Sequence, residues 1–318
     1  MIQIVTDSTA SLPRSLTESL NVDVMTLHVH YDGKEYKDAT MDLDEFYQNI
    51  ADMKNNPPKS SQPSQIELEE YFEKAVREKN QVVGIFMSSS MSGTFEGALR
   101  AARVVEARCK EFSYAFVDAL SNSLDEGFAV LSAVAAREAG ASCYQVAKEA
   151  ADTVGCTRFL FAPESLSYLR AGGRIGSGAA LLGNAIKLTP IFTVSDGVAT
   201  VLTKVRTQKK AAVRIMEIFA DDIKDHELND VVVHYIGSKE PALKWCKKSV
   251  EPFLGREVPV LPVSPVIGCH VGPAFGIAYQ CKSPLKGKLV KTKPEIVCSA
   301  KLNREKMLQR LPFVSRFI

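Results

Sequence analysis

The sequence predicts an α/β fold in two domains. An N-terminal open parallel sheet with helices on both faces precedes a C-terminal mixed α/β domain with a partly antiparallel sheet. Three observations carry this reading. Apolar runs of strand length alternate with helix-like segments through the first half. The second half changes to hairpin punctuation, with Asp196-Gly197 between two apolar runs. At 318 residues the chain is longer than one small compact domain. Strands that alternate with helices need crossover connections, and crossovers make parallel sheets.

Ile2-Gln3-Ile4-Val5 opens a strand over 2–6, and Asp7-Ser8-Thr9 follows directly. Open parallel sheets bind ligands beyond the carboxyl ends of their strands. Asp7-Ser8-Thr9 therefore reads either as a ligand-facing group or as a cap for a helix over 13–20. A strand is expected over 22–29, with His28 and His30 on one face, and a helix over 43–53. Two His residues make no metal site without a third ligand, so no metal and no other cofactor is assigned. Next comes Ser60-Ser61-Gln62-Pro63-Ser64, with Ser64-x-x-Glu67 as the capping box of a helix over 67–79. Ser60, Ser61 and Gln62 stay as polar groups on a loop stiffened by Pro57, Pro58 and Pro63. Such a loop is either merely solvated or set to bind at low entropy cost.

A strand over 82–86 runs into Met87-Ser88-Ser89-Ser90-Met91-Ser92-Gly93-Thr94, and a helix over 93–108 follows. Strand, polar loop and helix N-terminus form a geometry that holds anions, through free N–H groups and the helix dipole. The loop lacks Lys, Arg and a Gly-x-x-x-x-Gly-Lys pattern. That argues against a nucleoside triphosphate and leaves a carboxylate or a single phosphate. The other reading is a helix cap with surplus surface serines. A strand over 115–117 then leads to Asp118, and Ser123-x-x-Glu126 reads as the capping box of a helix over 124–139.

The first domain is assigned to 1–158 and the second to 159–281. A short helix over 163–168 enters Leu169-Arg170-Ala171-Gly172-Gly173-Arg174-Ile175-Gly176. This run is a cationic edge, or a Gly-ended helix whose dipole favours cations. It follows a helix and lacks Gly-x-Gly-x-x-Gly, so it is no dinucleotide fingerprint. A hairpin is expected over 190–205, strands over 231–236 and 258–261, and helices over 209–220 and 241–250. Gly268-Cys269-His270-Val271-Gly272-Pro273 places His270 ahead of a helix expected to start at Pro273.

Residues 282–318 form a basic extension with ten Lys or Arg against two acids, net +8. Within a total of +2 the rest of the chain then carries −6. That balance does not suggest a nucleic-acid partner. Seven scattered Cys without a Cys-x-x-Cys pair suit a reduced, cytoplasmic protein. Met1 leads straight into a strand, so no signal peptide is expected, and no apolar run is long enough to span a bilayer. There is no Gly-x-Ser-x-Gly elbow. Several hydroxyl-bearing loops and one His support binding of a small anion better than turnover.

Six runs now stand in order: Ile4-Val5-Thr6-Asp7-Ser8, Ser60-Ser61-Gln62-Pro63-Ser64, Met91-Ser92-Gly93-Thr94-Phe95, Leu169-Arg170-Ala171-Gly172-Gly173-Arg174-Ile175, Lys204-Val205-Arg206-Thr207 and His270-Val271-Gly272-Pro273. Together they resemble the DegV family over residues 1 to about 281. The resemblance implies a soluble carrier that holds a long-chain fatty acid between two α/β domains. A separate ATP-dependent fatty acid kinase would convert the bound carboxylate to an acyl phosphate. By position, the resemblance puts the carboxylate contacts on Ser60, Ser61, Ser92 with Gly93, and His270. It puts a basic, kinase-facing residue at Arg170, with Arg174 beside it. The family more often has Thr at Ser60, Ser at Ala119, a Gly-richer run at Leu124-Asp125-Glu126-Gly127, and Gly at Ala274. The extension takes nothing from the family: it reads as a strap on the acidic body or as a weak contact with an anionic membrane. The alternative function is an enzyme acting on a small phosphorylated or carboxylated metabolite through a Ser/His pair.

Overall fold

The computed structural model describes residues 1–50, 52–174, 188–285 and 294–310, with side chains excepted at 44, 52, 54 and 306–310. Ile175 and Gly176 of the Gly-rich run, and residues 311–318 of the basic extension, lie outside the described residues.

In β1 (Ile2–Asp7) the neighbouring Ile4 and Val5 are both fully buried, as in a strand covered on both faces. α1 (Arg14–Ser19) returns the chain to β2 (Val22–Met25), which pairs parallel with β1. The strand expected through residue 29 stops here. Leu27 N–H donates to Ser8 Oγ and the Leu27 carbonyl accepts from Asp38 N–H, which turns the chain out of the sheet. β3 (His28–Tyr31) and β4 (Lys34–Lys37) then form a hairpin. After α2 (Leu43–Asn49), β5 (Lys59–Ser61) joins the other edge of β3, giving a small antiparallel sheet.

α3 (Gln65–Arg77) starts at the Ser64–Glu67 capping box. β6 (Gln81–Phe86), α4 (Thr94–Arg108), β7 (Tyr114–Asp118) and α5 (Ser123–Glu138) follow in alternation. α6 (Cys143–Val154), which the sequence reading left out, begins at a capping box of its own, Ser142 with Gln145. α5 and α6 bury Val130, Ala133, Ala147 and Ala150 on the face that carries Ile4 and Val83. α3 and α4 bury Phe72, Ala98 and Leu99 on the face that carries Val5 and Phe86.

Two local expectations fail for one reason each. Asp7 caps the 3-10 turn Ser8–Ala10 rather than the helix after Pro13, because its carboxylate reaches Thr9 N–H at 2.9 Å. Ser123-x-x-Glu126 is not a capping box. Asn122 is the N-cap of α5, and Glu126 turns inward to the hydroxyls of Thr6 and Thr9.

The second half contains β8 (Thr157–Pro163), α7 (Ser167–Gly172), β9 (Thr189–Ser195), β10 (Val198–Val205), α8 (Gln208–His226), β11 (Leu228–Ile236), α9 (Lys239–Trp245), α10 (Glu251–Leu254), β12 (Val260–Pro262), α11 (Pro265–Val271) and β13 (Ala274–Cys281). A π-helical stretch, Cys246–Val250, links α9 to α10. The strands form a six-stranded sheet in the order β10-β9-β8-β13-β11-β12, antiparallel except for the β11–β12 pair. Asp196 and Gly197 both take positive φ, 46° and 79°, as the tight β9–β10 hairpin requires.

The helix expected after Pro273 is instead β13. Pro265 is the helix-opening proline, and His270 lies near the end of α11. Gly272 ends that helix at φ 70°, and Ala274–Cys281 pairs with β8 on one side and β11 on the other. Two flanking strands decide the conformation of a segment rich in Phe, Ile and Tyr. One apolar core also crosses between the halves: Leu27, Phe46, Met87 and Phe128 pack in the same cluster as Phe159, Phe161 and Phe192.

The basic extension contributes β14 (Ile296–Cys298), antiparallel to β7, and α12 (Ala300–Arg310). The first sheet is thus β14-β7-β6-β1-β2, parallel but for this edge strand. Leu302 is 5 % exposed within the core under α5 and α6, and Lys301 Nζ meets Glu111 at 2.6 Å. Burying a Leu contributes about 1.5–3 kcal/mol. Deleting 286–318 is therefore expected to lower the melting temperature by roughly 5 °C or more, read by calorimetry. An unchanged melting temperature would show that the extension does not brace the sheet.

Candidate ligand-binding site

A cavity of about 270 Å³ opens where the β6–α4 loop, β5, α7 and α11 converge on the second sheet. Its apolar wall includes Leu27, Met87, Phe159, Phe161, Leu169 and Val194. Phe161 stacks on Phe159 at 5.0 Å and on Phe192 at 5.3 Å, so that wall is a run of packed aromatic rings. The polar wall holds Ser60, Ser61, Gln62, Ser92, Asn122 and His270. Among the described residues no carboxylate lines the cavity, and Arg174 is the one charged residue lining it.

Each polar group is set by its element. Ser60 and Ser61 are neighbours on β5, so their side chains diverge. Ser60 Oγ lies 2.8 Å from His270 Nε2, and Ser61 Oγ lies 2.8 Å from His30 Nε2. Ser92 precedes α4, whose N-cap Gly93 makes no side-chain hydrogen bond, and Ser92 Oγ sits 2.8 Å from Thr94 Oγ1.

Ser88 and Ser89 of the same loop are structural. Ser88 Oγ donates to the Gly197 carbonyl at 2.7 Å, tying the loop to the β9–β10 turn. Ser89 donates both N–H and hydroxyl to Asp118, which is how the carboxylate at the end of β7 holds the loop.

Ser60, Ser61, Ser92, Gly93, His270 and Arg174 thus meet at one cavity. Arg170 does not. It lies on the exposed side of α7 and lines a separate surface pocket with Glu164, Ser165 and Ser167. Arg174 donates from Nη1 to the Gly172 carbonyl at 2.7 Å, closing the C-terminus of α7 while facing the cavity. Sequence reasoning missed the contact between α7 and α11. A Cβ on Gly172 would stand 2.5 Å from His270 Nδ1, so only glycine lets the helix end pack on the imidazole. The adjacent glycines were the available signal. Among the described residues no group of three or more His, Cys, Asp or Glu is placed to hold a metal ion.

Burial pushes the His270 imidazole down to about 4, helped by the Arg174 cation, so it is neutral at pH 7. In the unfolded chain it protonates near its ordinary value of about 6.5. Between those values the unfolded state binds the extra proton, and the contribution of His270 to stability is lost as pH falls. His270→Gln should therefore lose about 2 kcal/mol less stability than the wild type between about pH 7 and pH 5, measured by urea unfolding. Parallel pH profiles would show that His270 takes up its proton alike in the native and unfolded chains.

A family model described as "Uncharacterised protein, DegV family" matches residues 1–282. The chain belongs to the DegV family. A DegV domain-containing protein of Clostridium acetobutylicum is 34% identical over 286 residues, 90% of this chain and 99% of the relative. Among solved structures, a stearic-acid-binding protein from Eubacterium ventriosum is similar at TM-score 0.82 and 25% identity, over 89% of this chain and 99% of that one. DegV from Bacillus subtilis, a fatty acid binding protein, gives TM-score 0.79 and 29% identity, over 88% and 99%. A DegV family protein from Thermus thermophilus, described by its fatty acid binding, gives 0.78 and 28%, over 88% and 99%. The DegV match ends at 282, so β14 and α12 lie in a part of the chain that the family model does not cover.

Proposed function

We propose that this protein is a cytoplasmic carrier that binds one long-chain fatty acid in the cavity between its two halves. It then presents the carboxylate to a separate ATP-dependent fatty acid kinase. The carrying observation is the cavity itself: an apolar aromatic wall faces hydroxyls and a neutral imidazole, with the Arg174 cation beside them and no carboxylate among the described lining residues. Hydroxyls and a neutral imidazole can hold one carboxylate without burying a second charge. Similarity to fatty-acid-binding DegV structures supports the same reading. Contact of the basic extension with an anionic membrane rests on its charge alone.

The Ser60–His270 pair also invites an enzymatic reading. A nucleophilic relay needs a basic imidazole oriented by a third group. Here Nδ1 of His270 is buried without a hydrogen-bond partner among the described residues, and the imidazole has a depressed proton affinity. Binding is the better reading.

Organic extraction of the purified protein and mass spectrometry should release a fatty acid near one equivalent. An empty protein that also takes up no added fatty acid would defeat the carrier reading. Arg170→Ala should keep fatty-acid affinity within about threefold of the wild type while slowing acyl phosphate formation with the kinase, since Arg170 lies outside the cavity. Equal loss of both activities would make Arg170 a carboxylate ligand or a fold residue.

A further inference from the structure

Beneath the loop that carries Ser92 lie two buried carboxyl groups that the cavity does not use. Asp7, at the end of β1, and Glu126, in the first turn of α5, are both fully buried, as are Thr6 and Thr9. Thr9 Oγ1 stands 2.6 Å from Asp7 Oδ1 and 3.1 Å from Glu126 Oε2, and Thr6 Oγ1 stands 3.0 Å from Glu126 Oε1. A threonine hydroxyl has one proton to give. It cannot donate to two carboxylates at once, so one of the two acids must supply a proton.

The backbone decides which. Asp7 accepts N–H from Thr9 at 2.9 Å and from Met87 at 2.8 Å. Neither donor can turn round to accept. Among the described residues both hydrogen-bond partners of the Glu126 carboxyl are hydroxyls, and a hydroxyl accepts as readily as it donates. The distances agree: 2.6 Å is the length of a hydroxyl bond to an anion, whereas 3.1 Å is not. Glu126 also feels the negative charges of Asp7 and Asp118, with Asp38 beyond Asp7.

We propose that Asp7 is the positioning residue of the carboxylate site, acting as the anion of a chain in which the Glu126 carboxyl keeps its proton and donates to Thr9, and Thr9 donates to Asp7. Through Met87 N–H this anion fixes the start of the loop that ends at Ser92 and Gly93. Burial raises Glu126 well above the ordinary carboxylate range; it raises Asp7 too, against the pull of the Met87 and Thr9 donors. The link to the ligand rests on the fatty-acid reading above; the proton assignment does not.

The test compares Glu126→Gln with Asp7→Asn. The glutamine amide reproduces a neutral carboxyl, with one donor toward Thr9 and one acceptor toward Thr6. Its variant should bind a fluorescent fatty acid within about twofold of the wild type. It should also lack one protonated-carboxyl carbonyl band in the infrared spectrum at neutral pH. Above about pH 5 the wild type's unfolding constant should rise roughly tenfold per pH unit relative to the variant's, because its native state alone holds that proton. Asp7→Asn should bind about tenfold more weakly, having lost one acceptor for Thr9 or Met87.

The proton assignment is overturned if the infrared band survives in Glu126→Gln or if the two unfolding profiles run parallel. The positioning role is overturned if Asp7→Asn binds as the wild type does. Should Asp7→Asn fail to fold, equal damage to binding in Glu126→Gln would overturn the proposal, and near-wild-type binding would support it. If the wild type binds no fatty acid, the carrier reading falls, while the band and the unfolding profile still decide the proton.

Discussion

Removing the Ser60 hydroxyl or the His270 imidazole is expected to weaken fatty-acid binding by roughly ten- to a hundred-fold each. A hydrogen bond to a charged group contributes about 1.5–3 kcal/mol, and each 1.4 kcal/mol is tenfold in affinity. Combining the two substitutions should cost less than the product of the single effects. The two groups share one 2.8 Å contact, so either deletion already disturbs the other partner. Ser92→Ala belongs to a different element, contacts Thr94 instead, and should add independently to either. Displacement of a fluorescent fatty acid measures all of these. Unchanged affinity in all three single variants would place the carboxylate elsewhere in the protein. Strict additivity between Ser60 and His270 would mean that their contact is absent when the ligand is bound.

Gly272→Val is expected to destabilise the protein by about 4 kcal/mol or more. Two costs coincide at this position. Its φ of 70° lies in the left-handed region, which a β-branched residue scarcely enters. A Cβ there would also overlap the ring of Tyr168, which is 1 % exposed. Tyr168 cannot move aside cheaply, because its hydroxyl donates to the Ile50 carbonyl across the two halves. Urea unfolding reads the effect. A loss below about 1 kcal/mol would show that α11 and β13 can join by another path.

The legible parts of the fold are those whose signals are local. Apolar runs of strand length, the Ser64–Glu67 box and the Asp196-Gly197 turn each state their own conformation. What escaped was set from a distance. Residues 22–29 look like one strand, and contacts of Thr26 and Leu27 with Ser8, Asp38 and Ala39 divide them. Residues 274–281 follow a proline that could open a helix, and β8 and β11 make them a strand. Glu126 has the spacing of a capping residue, yet its partners lie more than a hundred residues earlier. In the candidate site, hydroxyl-rich loops after strands drew notice to Ser60, Ser61 and Ser92. Their shared cavity, and the exclusion of Arg170 from it, depend on how α7 meets α11, which no spacing encodes.

The edge strand β14 also has a consequence for the newborn chain. β7 leaves the ribosome about 180 residues before the strand that will cover its open edge. At 5–20 residues per second that interval is roughly 10–40 s. Throughout it the nascent first sheet presents an unpaired row of N–H and C=O groups beside the vacant seat of Leu302. Crowded polysomes would put such edges within reach of one another, so the waiting period favours early chaperone capture. A circular permutant that supplies residues 294–310 ahead of β1 would close the edge before β7 emerges.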